Sequence, residues 1–340
     1  MPDLPALAVS VGCPSGIGPE VAVRGAARTP TARCLLVGDE QVIRAAARRA
    51  RVGQRRLVLC DDPHRLEPGQ IGIYAQSSSL PSPPTLGEPD AKGGAAQVAW
   101  IDQATDLVTR RACRALVTGP VSKAAIASSV GRAAKRFRGH TEHLARRLGA
   151  EEVVMAFRSS QLTVSLVTTH LPLAKVSRAI TSDAVAGACF WLGDLLARLE
   201  PGPRRIAVAA LNPHAGEGGL LGDEEVTRIA PGMKAARVRL KRRGVTLDGP
   251  LGAETAFRRA AAGDYDGVVA MYHDQATIPL KLLGFGEAVN VTLGLPIIRT
   301  SVDHGTAYDR AASGGASSLG MEAALALAAS LASLRRSTKR

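Results

Sequence analysis

Three of the seven histidines stand in one context. His170, His214 and His273 each lie within about three residues of the end of an apolar, β-rich run, and ligands of open α/β sheets bind beyond such strand ends. The runs are Leu162–Thr169, Ile206–Leu211 and Gly267–Tyr272. Imidazoles so placed can converge although they are far apart in the chain. Three neutral imidazoles with a position left open are the donor set of a divalent transition metal. Taken singly, each is an ordinary structural histidine. Asp274 follows His273 directly and suits a general base or a carboxylate that orients the neighbouring ring.

The same stretch, Tyr265 to Ala307, holds a fixed cation, an amide and a guanidinium fork in Lys281, Asn290 and Arg299. Together they suit a phosphate or a carboxylate, whereas each alone reads as a surface polar group. Asp303 and His304 form a further polar pair at the end of the run Ile297–Val302. Upstream, Gly139-His140-Thr141 opens a helix pattern, and free backbone N–H groups there add to an imidazole and a hydroxyl to cradle an anion. The bland alternative for Thr141 is a helix cap. Lys123, after the run Ala115–Thr118, faces a substrate or simply solvates a helix start.

These residues need a scaffold that alternates strands and helices. Leu7–Val11 and Cys34–Val37 read as strands, Gln41–Ala50 and Ala95–Arg111 as helices. Asp183–Glu200 follows a Thr181-Ser182 cap signal, and Pro231–Arg243 runs from its proline to Gly244. Residues 61–94 are rich in Pro, Ser and Gly and read as an irregular excursion, while Ser317–Arg336 reads as a packing helix. Such alternation predicts an α/β fold with a largely parallel sheet. The loop Gly12 to Glu20 joins the first strand to a helix opened by Pro19, either as a tight turn or as a backbone wall of the cleft. Its glycines do not match GxGxxG, so a dinucleotide fingerprint is not supported there.

At 340 residues the chain exceeds one ordinary core, and two lobes about a cleft are expected. The net charge of +13 invites a polyanionic partner, with basic runs at Arg132–Arg138, Arg237–Arg243 and Arg335–Arg340. Aromatic residues at 3% are too few to stack nucleic-acid bases, so solvated arginine faces are the better reading and a basic nucleic-acid binder the remote one. Five scattered cysteines without a CxxC pair indicate reduced thiols in a cytoplasmic protein. No apolar stretch reaches the ~18 residues that a membrane span requires.

Taken in order, GCPSGIGPE, VTGPVSK, GHTEHLA, VTTHLPL, LNPHAGEGG, GPLGAET, MYHDQ, LKLLGFG and NVTLGLPIIRTSVDHGTA resemble the 4-hydroxythreonine-4-phosphate dehydrogenase family of vitamin B6 biosynthesis. The resemblance spans residues 7 to 330. It implies a two-lobed isocitrate/isopropylmalate dehydrogenase-like fold, with one lobe near residues 1–125 plus 290–335 and the other near 126–289. It also implies a homodimer whose cleft lies at the subunit interface. Carried over by motif, the metal ligands fall on His170, His214 and His273, drawn from both subunits. The substrate contacts fall on His140, Thr141, Lys281, Asn290 and Arg299, and Asp274 is the catalytic candidate. The nicotinamide cofactor, NAD or NADP, is assigned to Asp303, His304, Gly305, Ala307 and Asp309, and the metal to Zn, Co or Mg. The implied reaction is oxidation and decarboxylation of 4-(phosphooxy)-L-threonine. Relatives acting on phosphorylated threonate or erythronate, or on aromatic dihydrodiols, leave the substrate open. Cys13 stands where the family usually has Asp, and Ala312 and Ser317 replace a glycine and an aspartate after the cofactor segment.

Overall fold

Runs of small and branched apolar residues, too short for helices and bounded by glycine or proline, build the strands. The computed structural model describes residues 4–130, 135–284 and 286–334. The basic run 335–340 and part of the run 132–138 fall outside them. The chain divides into two compact units, 1–150 with 295–340, and 151–294. Residues 126–130, 135–150 and 290–294 therefore sit in the opposite unit from the one expected of them.

The first unit contains β1 (Ala6–Ser10), α1 (Gly18–Arg28), β2 (Arg33–Val37), α2 (Glu40–Arg49), β3 (Leu57–Cys60), β4 (Ile71–Tyr74), α3 (Ala91–Thr109), β5 (Ala115–Thr118), α4 (Lys123–Ser128) and α5 (His140–Leu148). β12 (Ile298–Val302), α11 (Tyr308–Ala311) and α12 (Leu319–Ser333) complete it. Its strands run β3-β4-β2-β1-β5-β12, every pairing parallel. β1 is buried along its whole length, as a central parallel strand covered on both faces must be. The order reverses between β1 and β5, and the loops after β1, β5 and β12 emerge beside that switch point, where α/β sheets bind ligands. β4 corrects the reading of 61–94 as irregular throughout. Its four residues, IGIY, are too few to show a period.

α5 belongs to this unit because of polar ties to α3. His143 meets Asp102 at 2.7 Å, and Arg147 meets Asp106 at 2.7 Å. Caps were legible in advance: Thr181 accepts the Ala184 N–H at 3.1 Å, as its cap signal predicts.

The second unit contains β6 (Val154–Arg158), β7 (Thr163–Leu166), α6 (Leu173–Ala179), α7 (Ser182–Leu199), β8 (Arg204–Ala209), α8 (Ala230–Leu240), β9 (Val245–Leu251), α9 (Ala253–Ala261), β10 (Gly267–Ala270), α10 (His273–Leu283) and β11 (Val289–Leu293). Its order is β11-β6-β7-β10-β8-β9. β6 is antiparallel to both its neighbours, while β7, β10, β8 and β9 are mutually parallel. Val164, Leu166, Ala207, Val268, Ala270 and Leu280 pack its core. Both units are thus α/β with largely parallel sheets. No single helix among the described residues is long and apolar enough to cross a membrane.

Candidate active site

β10 is inserted between β7 and β8, so three adjacent parallel strands end together, each followed by a histidine. His170 comes four residues after β7, His214 five after β8 and His273 three after β10. The ends of β10 and its neighbours are fastened by side chains. Gln275 donates to Ala210 O at 2.8 Å and accepts the Met271 N–H at 2.7 Å, and the Thr168 hydroxyl donates to Met271 O at 2.7 Å.

The rings of His170 and His273 stand with centroids 5.4 Å apart, inclined by 43°. With metal–nitrogen bonds of ~2.1 Å, two imidazoles on one tetrahedral cation hold their centroids about 5.2 Å apart. The observed separation is close to that value. His273 opens α10, and its Nδ1 lies 2.7 Å from Asp274 Oδ1. A carboxylate engaged there fixes the ring and leaves Nε2 as the nitrogen outside that contact. Among the described residues no group of three or more His, Cys, Asp or Glu gathers as a metal site, so His214 is not grouped with the pair.

His214 has a setting of its own. His214 through Gly218 are all left-handed, with φ of 51, 54, 78, 45 and 67°. A non-glycine residue pays about 1–2 kcal/mol for that conformation, so the stretch stores strain. It persists because buried Glu225 accepts the backbone N–H groups of Leu211 (2.9 Å) and Asn212 (2.8 Å) and the Asn212 amide (3.0 Å). A side chain at Gly216 would meet Glu225 Oε2 at 2.7 Å and Gly222 O at 2.8 Å.

The first unit holds a different kind of site. Arg299 on β12 is 3% exposed and donates to the Thr118 hydroxyl at 2.7 Å. Burial pulls its guanidinium down to about 9, with Glu142 opposing. It remains cationic at neutral pH but poorly solvated, a cost that a bound anion relieves. His140 opens α5, and its Nε2 is buried with no hydrogen-bond partner among the described residues. Burial holds this imidazole well below its ordinary range, and Arg299, His143 and Lys123 push the same way. A neutral ring beside a dry guanidinium suits an anion that accepts from both. Thr141 follows on the same helix. Lys281, exposed on α10, and Asn290, half-buried on β11, belong to the second unit.

Asp303 and His304 are half-buried after β12, Gly305 is exposed, Ala307 is left-handed at φ 44° ahead of α11, and exposed Asp309 pairs with Arg310 at 3.8 Å. The loop after β1 packs on this segment. Ile17 N–H donates to Thr306 O at 3.0 Å, and a side chain at Gly16 would meet that oxygen at 2.7 Å. Cys13 Sγ lies 3.4 Å from the Tyr308 hydroxyl. Burial pushes the thiol up, while Tyr308 and the N–H groups of Ser15 and Gly16 pull it back.

Residues 30–328 match the family model described as "Pyridoxal phosphate biosynthetic protein PdxA". The chain belongs to this family. A relative named 4-hydroxythreonine-4-phosphate dehydrogenase, from Desulfosudis oleivorans, is 42% identical over 331 residues and covers 95% of each chain. The crystal structure of the protein of that name from Klebsiella pneumoniae matches with a TM-score of 0.83 at 36% identity, over 96% of this chain and 99% of that one. A terephthalate 1,2-cis-dihydrodiol dehydrogenase from Burkholderia xenovorans matches with a TM-score of 0.68 at 28% identity, over 96% and 98%.

Within this PdxA-family chain, Gln275, Glu225 and Tyr308 are neighbours of the candidate residues to which sequence reasoning gave no role of their own. Gln275 had a signal, since it continues the His-Asp pair. Glu225 and Tyr308 had none, because a buried carboxylate or phenol looks like any other until its partners are known.

Proposed function

We propose that the chain oxidises 4-(phosphooxy)-L-threonine with NAD or NADP in a metal-dependent reaction, and decarboxylates it to 3-amino-2-oxopropyl phosphate in vitamin B6 biosynthesis. Family membership supports the substrate, and the 5.4 Å pairing of His170 with His273 carries the metal reading. Those two rings would hold a divalent cation, Zn, Co or Mg, with His214 as the third ligand. Because His214 is not grouped with the pair within one chain, a second copy is its proposed source and a homodimer the active unit. A bound cation would supply Lewis-acid polarisation of the substrate's C3 hydroxyl, and residues 303–309 would hold the nicotinamide that would supply the hydride acceptor.

The chain's own residues do the rest. One Asp274 oxygen steadies His273, and the other is the proposed acceptor of the hydroxyl proton. Arg299, His140 and Thr141 hold the phosphate, a remote anchor that aligns C3 for transfer. Lys281 and Asn290 take the remaining polar groups. Oxidation yields a β-keto acid that loses its carboxylate as carbon dioxide. All five cysteines are free, which supports a cytoplasmic setting.

The test is a substrate panel: 4-(phosphooxy)-L-threonine, phosphorylated threonate and erythronate, and an aromatic dihydrodiol, each with Zn, Co or Mg and with NAD or NADP. Reduced-cofactor absorbance should favour the first substrate by about 100-fold in kcat/KM, the scale a dedicated polar contact set provides. A clear preference for another substrate reassigns the reaction, and turnover that survives chelation overturns the metal reading.

A further inference from the structure

A cavity of about 860 Å3 opens in the first unit, and no residue given a role above lines it. Its wall carries Arg24, Arg28, Arg49, Arg51 and Arg56, closed on one side by the segment 312–315, and no carboxylate lines it. Among the described residues, the countercharges that reach these arginines are Glu20, 2.8 Å from Arg24 and 3.9 Å from Arg49, and Glu322, 3.2 Å from Arg28. Two carboxylates do not balance five guanidinium groups.

The arginines are also held in place. Arg56 donates to Gly69 O at 2.7 Å and Ala27 O at 3.1 Å, and Arg24 donates to Ala316 O as well as to Glu20. Arg49 Nε is a buried donor with no acceptor among the described residues. Arg51 follows α2 with φ 56°, at the position after a helix where glycine is ordinarily found. Keeping an arginine in that strained conformation is expected where its side chain has a task. The remaining lining is glycine, alanine, valine and one serine, so no ring is present for a base to stack on. Guanidinium forks match phosphate oxygens, and five of them suit more than one phosphate group.

We propose that this cavity binds a compact anion bearing two phosphate groups, at a site separate from the one assigned to the substrate's phosphate. A ligand there also grips the segment 312–315. Gly315 N–H already donates to Glu20 at 2.9 Å and Gly314 N–H to Arg310 O at 3.2 Å, so the grip extends to α11. Two sources offer this chemistry, a free bisphosphorylated metabolite and the phosphates of NADP.

Isothermal titration of the intact enzyme with inorganic pyrophosphate tests the site, comparing the unmodified chain with Arg51→Gly, Arg28→Ala and His140→Ala. Heat from any chelation is common to all four and cancels. We expect saturable binding that weakens about tenfold in Arg51→Gly and in Arg28→Ala, the scale of one lost charged hydrogen bond. It should persist in His140→Ala, with no variant losing melting temperature and Arg51→Gly gaining a little as its left-handed residue is relieved. A parallel NADP titration separates the sources. Weakening of NADP by the same factor in Arg51→Gly assigns the cavity to the dinucleotide, and unchanged NADP binding assigns it to a separate anion. Pyrophosphate that does not bind, or that binds the folded arginine variants as it binds the unmodified chain, overturns the proposal. Binding lost only in His140→Ala also overturns it, and leaves the catalytic reading standing.

Discussion

Histidines are used in opposite ways in the two units. In the second, His170 and His214 are exposed and His273 is half-buried, all beyond the ends of parallel strands. In the first, the Nε2 atoms of His140 and His304 are buried with no hydrogen-bond partner among the described residues, and His143 is 4% exposed against Asp102. A lone pair that must reach a cation has to be accessible. The buried His140 ring beside Arg299 instead stays neutral and can only donate to, or accept from, whatever enters. On the proposed reading, the same residue type would serve ligation in one place and anion binding in the other, with burial separating the two tasks.

The most severe way to break this comparison is His273→Ala. Turnover should fall about 10³-fold, as when a principal electrostatic contributor is removed, with a matching loss of bound metal by elemental analysis and no large change in melting temperature. Retained turnover and metal would make the second-unit histidines structural as well. Arg299→Lys keeps the charge and loses the fork. KM for the phosphorylated substrate should rise about 10–100-fold while kcat changes little, and an unchanged KM would place the anion elsewhere. His214→Gly sharpens the comparison from the side of stability. It relieves a left-handed residue, so denaturant unfolding should show a gain of about 1 kcal/mol while activity is lost. A loss of stability would mean that the ring itself packs.

The smallest effect concerns pH. In the folded chain His140 is held well below 6.5, whereas the unfolded chain protonates it near that value. Below about pH 6.5 the unfolded state binds the extra proton, so stability present above that pH is lost as pH falls toward the folded value. Melting temperature followed from pH 7 to 5 should drop, and the drop should be shallower in His140→Gln. Equal slopes would show that His140 is not the buried neutral ring described.

Strand ends were legible because buried parallel strands read as unbroken apolar runs, and the residue that ends such a run stands out. β5 was legible at both its ends, Ala115 and Thr118. β4 was hidden by brevity, and the placement of 126–150 by ion pairs from α5 to α3, which connect residues about forty positions apart. The arginine cavity shows a similar limit. Arg48-Arg49, Arg51 and Arg55-Arg56 form a visible basic run, but nothing in that run announces Arg24, Arg28 or the segment 312–315 across from it.

The amino-acid order alone determined which side chains are chemically able to act, and that alternating apolar runs and caps would place them at strand and helix ends. Those are local properties, set by backbone sterics, side-chain period and the exclusion of apolar surface from water. Tertiary structure decided which ends are neighbours. β10, later in the chain than β8, is inserted between β7 and β8, and this brings His273 to His170. It also decided that Arg299 is dry and that five arginines share one cavity, because solvation and charge balance depend on everything packed around a group.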